Sequence, residues 1–272
     1  MPALAISTTF TGYDDVIPHL SLMHRYGIRN LELRGFPPRI NYQDQDYLRR
    51  LKDELSRLDI SISSYHLPFH DNYLSDPNEE GRQKALQCIL DSTEAADFLG
   101  AECLVIHPGG RYRNKKEKLV CQEQSRKSIA EIYAVTRELG LPLALENMLP
   151  PRVGQEFDWL LEAIADLDPY VCGICFDSSH ANLCAGEPAQ YIEHLGSRII
   201  NVHFSDNHGL KDEHLFPFLG EINWESLLRA LKRTGYNRPL TLEIHQCDAL
   251  EVMLTEAVVC HSKLLEIWER VS

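Results

Sequence analysis

The stretch GICFDSSH, residues 173–180, passes from an apolar run straight into an acid, two serines and a histidine. Read as a strand that ends at Asp177 and turns at once through Ser178 and Ser179, it brings Asp177 and His180 to one point. The same grammar recurs on both sides of it. LVIH (104–107), LALE (143–146), NVHF (201–204) and LTLE (240–243) are apolar runs that give way to a loop at a histidine or a carboxylate. Strands whose polar ends all fall on the same side of the sequence pattern predict a sheet with one polar mouth.

Eight such runs are expected as strands, at 4–9, 30–33, 60–65, 103–107, 143–146, 173–177, 199–204 and 240–244. Amphipathic segments separate them. In YLRRLKDELSRL (47–58) Leu48, Leu51, Leu55 and Leu58 recur at helical steps, and QKALQCILDSTEAADFLG (83–100) ends on Gly100. Gly140 and Gly235 are matching helix stops before the fifth and eighth strands. Eight strand–helix repeats over 272 residues predict an α/β fold, a single (β/α)8 barrel domain spanning 1–272. A doubly wound open sheet shares the alternation, but ISTTFTGYDD (6–15) stands where a glycine-rich phosphate loop would open the first helix.

Composition narrows the class. The chain is 44% hydrophobic and 25% charged, no run approaches membrane-spanning length, and MPALAISTTF carries no basic region ahead of an apolar segment. A soluble cytoplasmic protein is expected, with no membrane partner. Its formal charge of −13 disfavours broad attraction to nucleic acid. Eight cysteines scattered through strands and helices read as buried thiols. Cys172 and Cys175 form a CxxC, but residues three apart on a strand face opposite ways and cannot grip one ion.

Nine candidate ligands lie at the strand exits: His66, His107, Glu146, Asp177, His180, His203, Asp212, His214 and Glu243. Imidazoles and carboxylates are ordinary ligands of catalytic zinc or manganese, and such mixed sets leave a position for water or substrate. Each histidine alone reads as readily as a loop or core residue. Glu146 and Glu243 are harder to dismiss, since each ends an apolar strand where an unpaired charge is costly. Glu32 is expected to be structural, lining the barrel or pairing with an arginine. Asp206 is read as orienting His203 or opening the loop, and His245 as supporting a ligand. His70, His208 and Trp224 are assigned to loops or packing, and His19, His24, His194 and His261 to helices without ligand grouping.

HLPF (66–69), LGAECLVIHPGG (99–110), LENM (145–148), GICFDSSH, VHFSDN (202–207), DEHLFPFLGEINW (212–224) and LEIH (242–245) together make the chain resemble the xylose isomerase-like barrel superfamily. That superfamily holds sugar isomerases and epimerases and the family-two apurinic endonucleases, or endonuclease four. In the epimerase branch the resemblance implies one divalent metal held by Glu146, Asp177, His203 and Glu243. Glu146 and Glu243 would then exchange a proton on opposite sides of a ketose carbon through an enediolate. In the endonuclease branch it implies up to three zinc ions, with His66, His107, His180, Asp212 and His214 completing the set. The departures favour the sugar side. DSSH and VHFSDN depart from the endonuclease patterns at strands six and seven, and FHDNYLSDPNEE (69–80) is acidic where a DNA-facing loop needs cations. GFPPRINYQDQDY (35–47) offers Arg39 as a basic group for phosphates and Phe36 and Tyr42 as wedges, while RYRNKKEK (111–118) reads as the solvated start of a helix in preference to a phosphate clamp.

The expected function is a divalent-metal-dependent isomerase or epimerase of a small sugar, sugar phosphate or polyol derivative, with a small carbohydrate as partner, homo-oligomerisation open, and one to three zinc or manganese ions per chain. The alternatives are a zinc phosphodiesterase of the endonuclease type and a metal-stabilised binding barrel without turnover.

Overall fold

Eight parallel strands close on themselves in sequence order in the computed structural model, which describes residues 1–69 and 73–271. They are β1 (Leu4–Ser7), β2 (Asn30–Arg34), β3 (Ser61–His66), β4 (Leu104–Ile106), β5 (Leu143–Glu146), β6 (Cys172–Asp177), β7 (Ile199–Phe204) and β8 (Leu240–Leu242). All eight expected strands are present. The first is shorter than expected because the Ser7 hydroxyl accepts from the Thr9 amide and turns the chain into a 3-10 helix at Thr8–Thr11.

Outside the ring lie α1 (Ile17–Arg25), α2 (Gln45–Arg57), α3 (Glu79–Leu99), α4 (Lys115–Leu139), α5 (Phe157–Ala163), α6 (Ser178–Asn182), α7 (Pro188–Leu195), α8 (Trp224–Arg233) and α9 (Leu250–Arg270). Among the described residues the one α-helix beyond the expected eight is α6, a single turn directly after β6. Local chemistry explains the helix ends. Asp44, Asn78 and Asn114 cap α2, α3 and α4 through their side-chain oxygens, and Gly100 and Gly140 close α3 and α4 in the left-handed conformation. On α2, Leu48, Leu51 and Leu55 face the barrel as the periodicity requires. The basic run 111–118 starts α4, with Arg113 paired to Glu117 one turn on. No helix among the described residues is long and apolar enough to cross a membrane.

Strand alternation divides two cores. The large one lies between strands and helices, whereas Cys103, Val105, Ala144 and Cys175 form a small separate cluster inside the ring. Cys172 belongs to the outer core and Cys175 to the inner, and all eight cysteines are unpaired thiols. These inner residues are small. They leave room above them for side chains two residues further along the same faces: His107, Glu146 and Asp177, with Glu32, His66, His203 and Glu243 completing the ring.

Candidate active site

Glu146, Asp177, His203 and Glu243 arrive from β5, β6 and β7 and from just beyond β8, and one ligand atom of each lies within 4.8 Å of all the others. His203 Nδ1 stands 3.1 Å from Glu243 Oε2, 3.6 Å from Glu146 Oε2 and 3.9 Å from Asp177 Oδ2. All four residues are buried. Asp177 is placed by three hydrogen bonds: its Oδ1 accepts from the His180 amide as the cap of α6, its own amide donates to Asn147 Oδ1 at 2.7 Å, and its carbonyl accepts from Asn147 Nδ2 at 3.0 Å. Its Oδ2 and His203 Nδ1 have no hydrogen-bond partner.

Two further groups flank this quartet. His66 and His107 meet Glu146, with both Nε2 atoms about 3 Å from Glu146 Oε2, at 3.1 and 3.2 Å. His180, Asp212 and His214 form the other, with Asp212 Oδ2 3.0 Å from His214 Nε2 and 3.4 Å from His180 Nε2. All nine expected residues therefore converge on the strand-exit face. GICFDSSH brings Asp177 and His180 together as expected, but they serve different groups.

The tautomers test whether these donors suit a cation. His66 Nδ1 lies 2.9 Å from the Leu67 carbonyl, His180 Nδ1 2.9 Å from that of Asn147, and His214 Nδ1 2.9 Å from that of Glu243. A carbonyl only accepts, so each Nδ1 carries the proton, and in a neutral ring Nε2 is a bare lone pair. Those lone pairs point at carboxylate oxygens, which are also acceptors. Either a second proton or a metal ion must lie between them. For His66 burial and the Arg34 charge push the imidazole down in spite of Glu146, which disfavours the second proton; burial pushes His107 down to about 3, and a neutral His107 meets Glu146 through an Nε2 proton or an ion. For His180 burial acts in the same direction, but Asp177, Asp212 and Glu146 outweigh it and hold the ring well above its ordinary value. The donor set fits divalent ions, with Nδ1 of His66, His180 and His214 each fixed by a carbonyl oxygen as metal-binding histidines require.

Glu32 lines the barrel, one of its two expected roles, and is fully buried. Its hydrogen-bond partners are His203 Nε2 at 2.7 Å and the Ser64 hydroxyl at 2.8 Å, rather than an arginine. Burial pushes its carboxyl up, yet the His203 imidazole outweighs this and holds it at about 2. Glu32 thus fixes the ring of His203 and turns Nδ1 toward the quartet. The strand neighbour on the same face, Arg34, pairs with Glu243 Oε1 and leaves Oε2 for the quartet. Sequence reasoning missed Arg34, although its place two residues after Glu32 put both on the inner face.

Asp206 does not orient His203. It opens the loop, accepting from Trp224 Nε1 at 2.8 Å and from the amides of Asn207, Phe218 and Ile222. This folds 206–224 back so that Asp212 and His214 reach the rim. His245 stacks on His214 with centroids 4.0 Å apart, a supporting role as expected. His208 pairs with Glu213 on the surface, and the helix histidines remain outside the three groups. His70 lies outside the described residues.

The groups open into a cavity of about 260 Å³ lined by Glu146, His180, Asp212, His214 and Glu243 below and by Arg34, Arg39, Arg152, Phe36 and Leu149 above. Its volume is that of a small molecule, just under the range of drug-sized sites, roughly 300–1,000 Å³.

A model of the xylose isomerase-like TIM barrel family matches residues 20–257. The chain is 36% identical over 205 residues to the protein MJ1311 of Methanocaldococcus jannaschii, covering 72% of this chain and 68% of that one. Over 123 residues it is 32% identical to a probable endonuclease 4 of Phocaeicola vulgatus, covering 43% and 42% of the two chains. Among solved structures, the crystal structure of a D-tagatose 3-epimerase-like protein superposes with a TM-score of 0.86 at 28% identity, over 99% of each chain.

Proposed function

The chain belongs to the xylose isomerase-like TIM barrel family, and from that premise we propose that it is a divalent-metal-dependent isomerase or epimerase of a small sugar, sugar phosphate or polyol derivative, working through an enediolate. The observation that carries this reading is a pair of carboxylates, Glu146 and Glu243, that enter one small cavity from strands three places apart in the ring. The epimerase-like structural relative, alike over the whole chain, supports it.

Glu146, Asp177, His203 and Glu243 would hold the ion. When bound, it supplies Lewis-acid stabilisation of negative charge developing on adjacent substrate oxygens. The chain's own residues do the rest. One carboxylate takes the proton from the substrate carbon and the other returns it, each needing only hydrogen-bond reach of that carbon's hydrogen. Arg34 keeps Glu243 in one orientation through Oε1. Phe36 and Phe69, stacked edge to face at 5.7 Å, cover the cavity and limit exchange of the enediolate with water.

The test is a panel of ketoses incubated in deuterated water with zinc, manganese, cobalt or magnesium, and read by NMR for exchange at carbon. Exchange with one ketose is expected, and Glu146→Gln or Glu243→Gln should slow it by about 10²- to 10⁴-fold. A phosphodiesterase is the second reading, favoured by the two flanking groups, which offer ligands for two more ions. Cleavage of an abasic duplex, lost on His66→Ala or His107→Ala and without exchange in any ketose, would replace the first reading with the second. Neither activity, with metal and a small ligand bound, would leave a binding barrel.

A further inference from the structure

Two tetrads of the same form, FPPR at 36–39 and LPPR at 149–152, follow β2 and β5, and in both the first residue and the arginine line the cavity. Two prolines before each arginine restrict the backbone that delivers it. Hydrogen bonds fix it further. The Arg39 carbonyl accepts from the Tyr47 hydroxyl at 2.9 Å, and the Arg152 segment pairs with Arg111 and, through Val153, with Gly110 at 3.1 Å.

Among the described residues, the charges of these two arginines are not spent on acids. Arg34 is paired with Glu243, but Arg39 makes one side-chain hydrogen bond, from Nε to the Gly12 carbonyl, and lies over the rings of Tyr13 and Phe36 at 4.5 and 5.1 Å. Its guanidinium meets no carboxylate among the described residues, though the residue is only 6% exposed. Arg152 Nε is buried without a hydrogen-bond partner. A buried cation without a counter-charge is costly, and here Arg34 adds a like charge. Burial, with Arg34 next, pushes the Arg39 guanidinium down to about 10. Among the described residues, Arg39 in the cavity roof lacks an anion.

We propose that Arg39, assisted by Arg152 from the facing loop, is the subsite that takes the phosphate of a phosphorylated sugar, above the acids and imidazoles that handle its carbon skeleton. The inference rests on the small-sugar reading and narrows its substrate to a phosphate monoester. A carboxylate is satisfied by one bidentate arginine, whereas a phosphate dianion offers three oxygens and suits two separate forks.

The test measures binding of a ketopentose 5-phosphate, the same ketopentose without phosphate, and inorganic phosphate, to both metal-loaded and chelator-treated protein by calorimetry. The phosphorylated sugar should bind more tightly, and inorganic phosphate should still bind after chelation. Arg39→Met should weaken both by about 10- to 100-fold and leave the unphosphorylated sugar unchanged, and adding Arg152→Met should weaken them further. Arg39→Lys should restore part of the affinity, which a folding defect would not allow. Equal affinity for both sugars, an Arg39→Met effect common to both, or no added effect of Arg152→Met overturns the two-arginine subsite. Sugar phosphate binding that depends on Arg39, without exchange in any ketose, upholds the subsite and removes the isomerase reading. Exchange in an unphosphorylated ketose that ignores Arg39→Met does the reverse. An abasic duplex bound through Arg39 in place of any sugar phosphate overturns the proposal in favour of a phosphodiester ligand.

Discussion

Replacing Glu32 by Gln removes one charge and almost no volume from beneath the quartet. Glu32 is fully buried, and its Oε2 receives the His203 Nε2 proton at 2.7 Å, the length of a charge-assisted bond. The amide oxygen of glutamine can still accept that proton, so the ring is retained, but the negative charge that makes His203 a stronger donor is lost. A bond to a charged group contributes about 1.5–3 kcal/mol, and the neutral one about 0.5–1.5 kcal/mol. The difference, near 1.4 kcal/mol, is about tenfold in affinity, at the lower end of the roughly 10- to 100-fold cost of losing such supporting partners. Competition between the protein and a chromophoric chelator for zinc or manganese measures it directly. The expected outcome is a Kd raised about tenfold with the circular dichroism and melting of the metal-free protein retained. A Kd within twofold of the parent would refute the assignment of Glu32 as the partner that orients His203 for metal.

Three other outcomes follow from the same geometry. Asp206→Ala leaves the Trp224 indole and the amides of Asn207, Phe218 and Ile222 without their acceptor, and should cost about 3–4 kcal/mol, read by urea denaturation; Asp206→Asn should cost less, and equal costs would contradict the carboxylate's role. His107, held at about 3 against an unfolded value near 6.5, stays neutral in the folded state while the unfolded chain takes up a proton. Its contribution is therefore complete above pH 6.5 and falls by about 1.4 kcal/mol per unit as pH drops toward 3, so chelator-treated parent protein should lose stability across that window more steeply than His107→Gln. Gly220→Ala would set a Cβ 2.3 Å from Asp206 Oδ1 and 2.4 Å from the Asn207 carbonyl, and should lower the melting temperature by displacing the loop that carries Asp212 and His214.

The barrel was legible because parallel strands buried on both faces leave near-continuous apolar runs, and the acids and histidines that end those runs interrupt them at one side only. The candidate residues at the strand ends could be read this way. The central quartet followed from the family resemblance, but the division of the other five into flanking groups did not. Which acid meets which imidazole depends on the path of residues 206–224, set by the four bonds to Asp206, and a lone aspartate in SDNHG gives no sign of them. Glu32 and Arg34 were obscured for a related reason: their partners His203 and Glu243 sit across the ring, and the pairing of β2 with β3 shifts register between Leu31 and Glu32. Sequence parity shows that a side chain faces inward, but its partner follows from closure of all eight strands. Arg39 was visible as a loop cation yet was weighed as a contact to duplex phosphates, since nothing local tells that it folds over a cavity between Tyr13 and Phe36.

The most direct measurement is anomalous diffraction from crystals soaked or grown with zinc or manganese, recorded on both sides of the metal edge. The account predicts a peak within about 2.0–2.3 Å of ligand atoms from Glu146, Asp177, His203 and Glu243, with flanking peaks at the two histidine groups where further ions bind, and loss of the central peak in Asp177→Asn. Saturating metal with no anomalous density among those four side chains would contradict it.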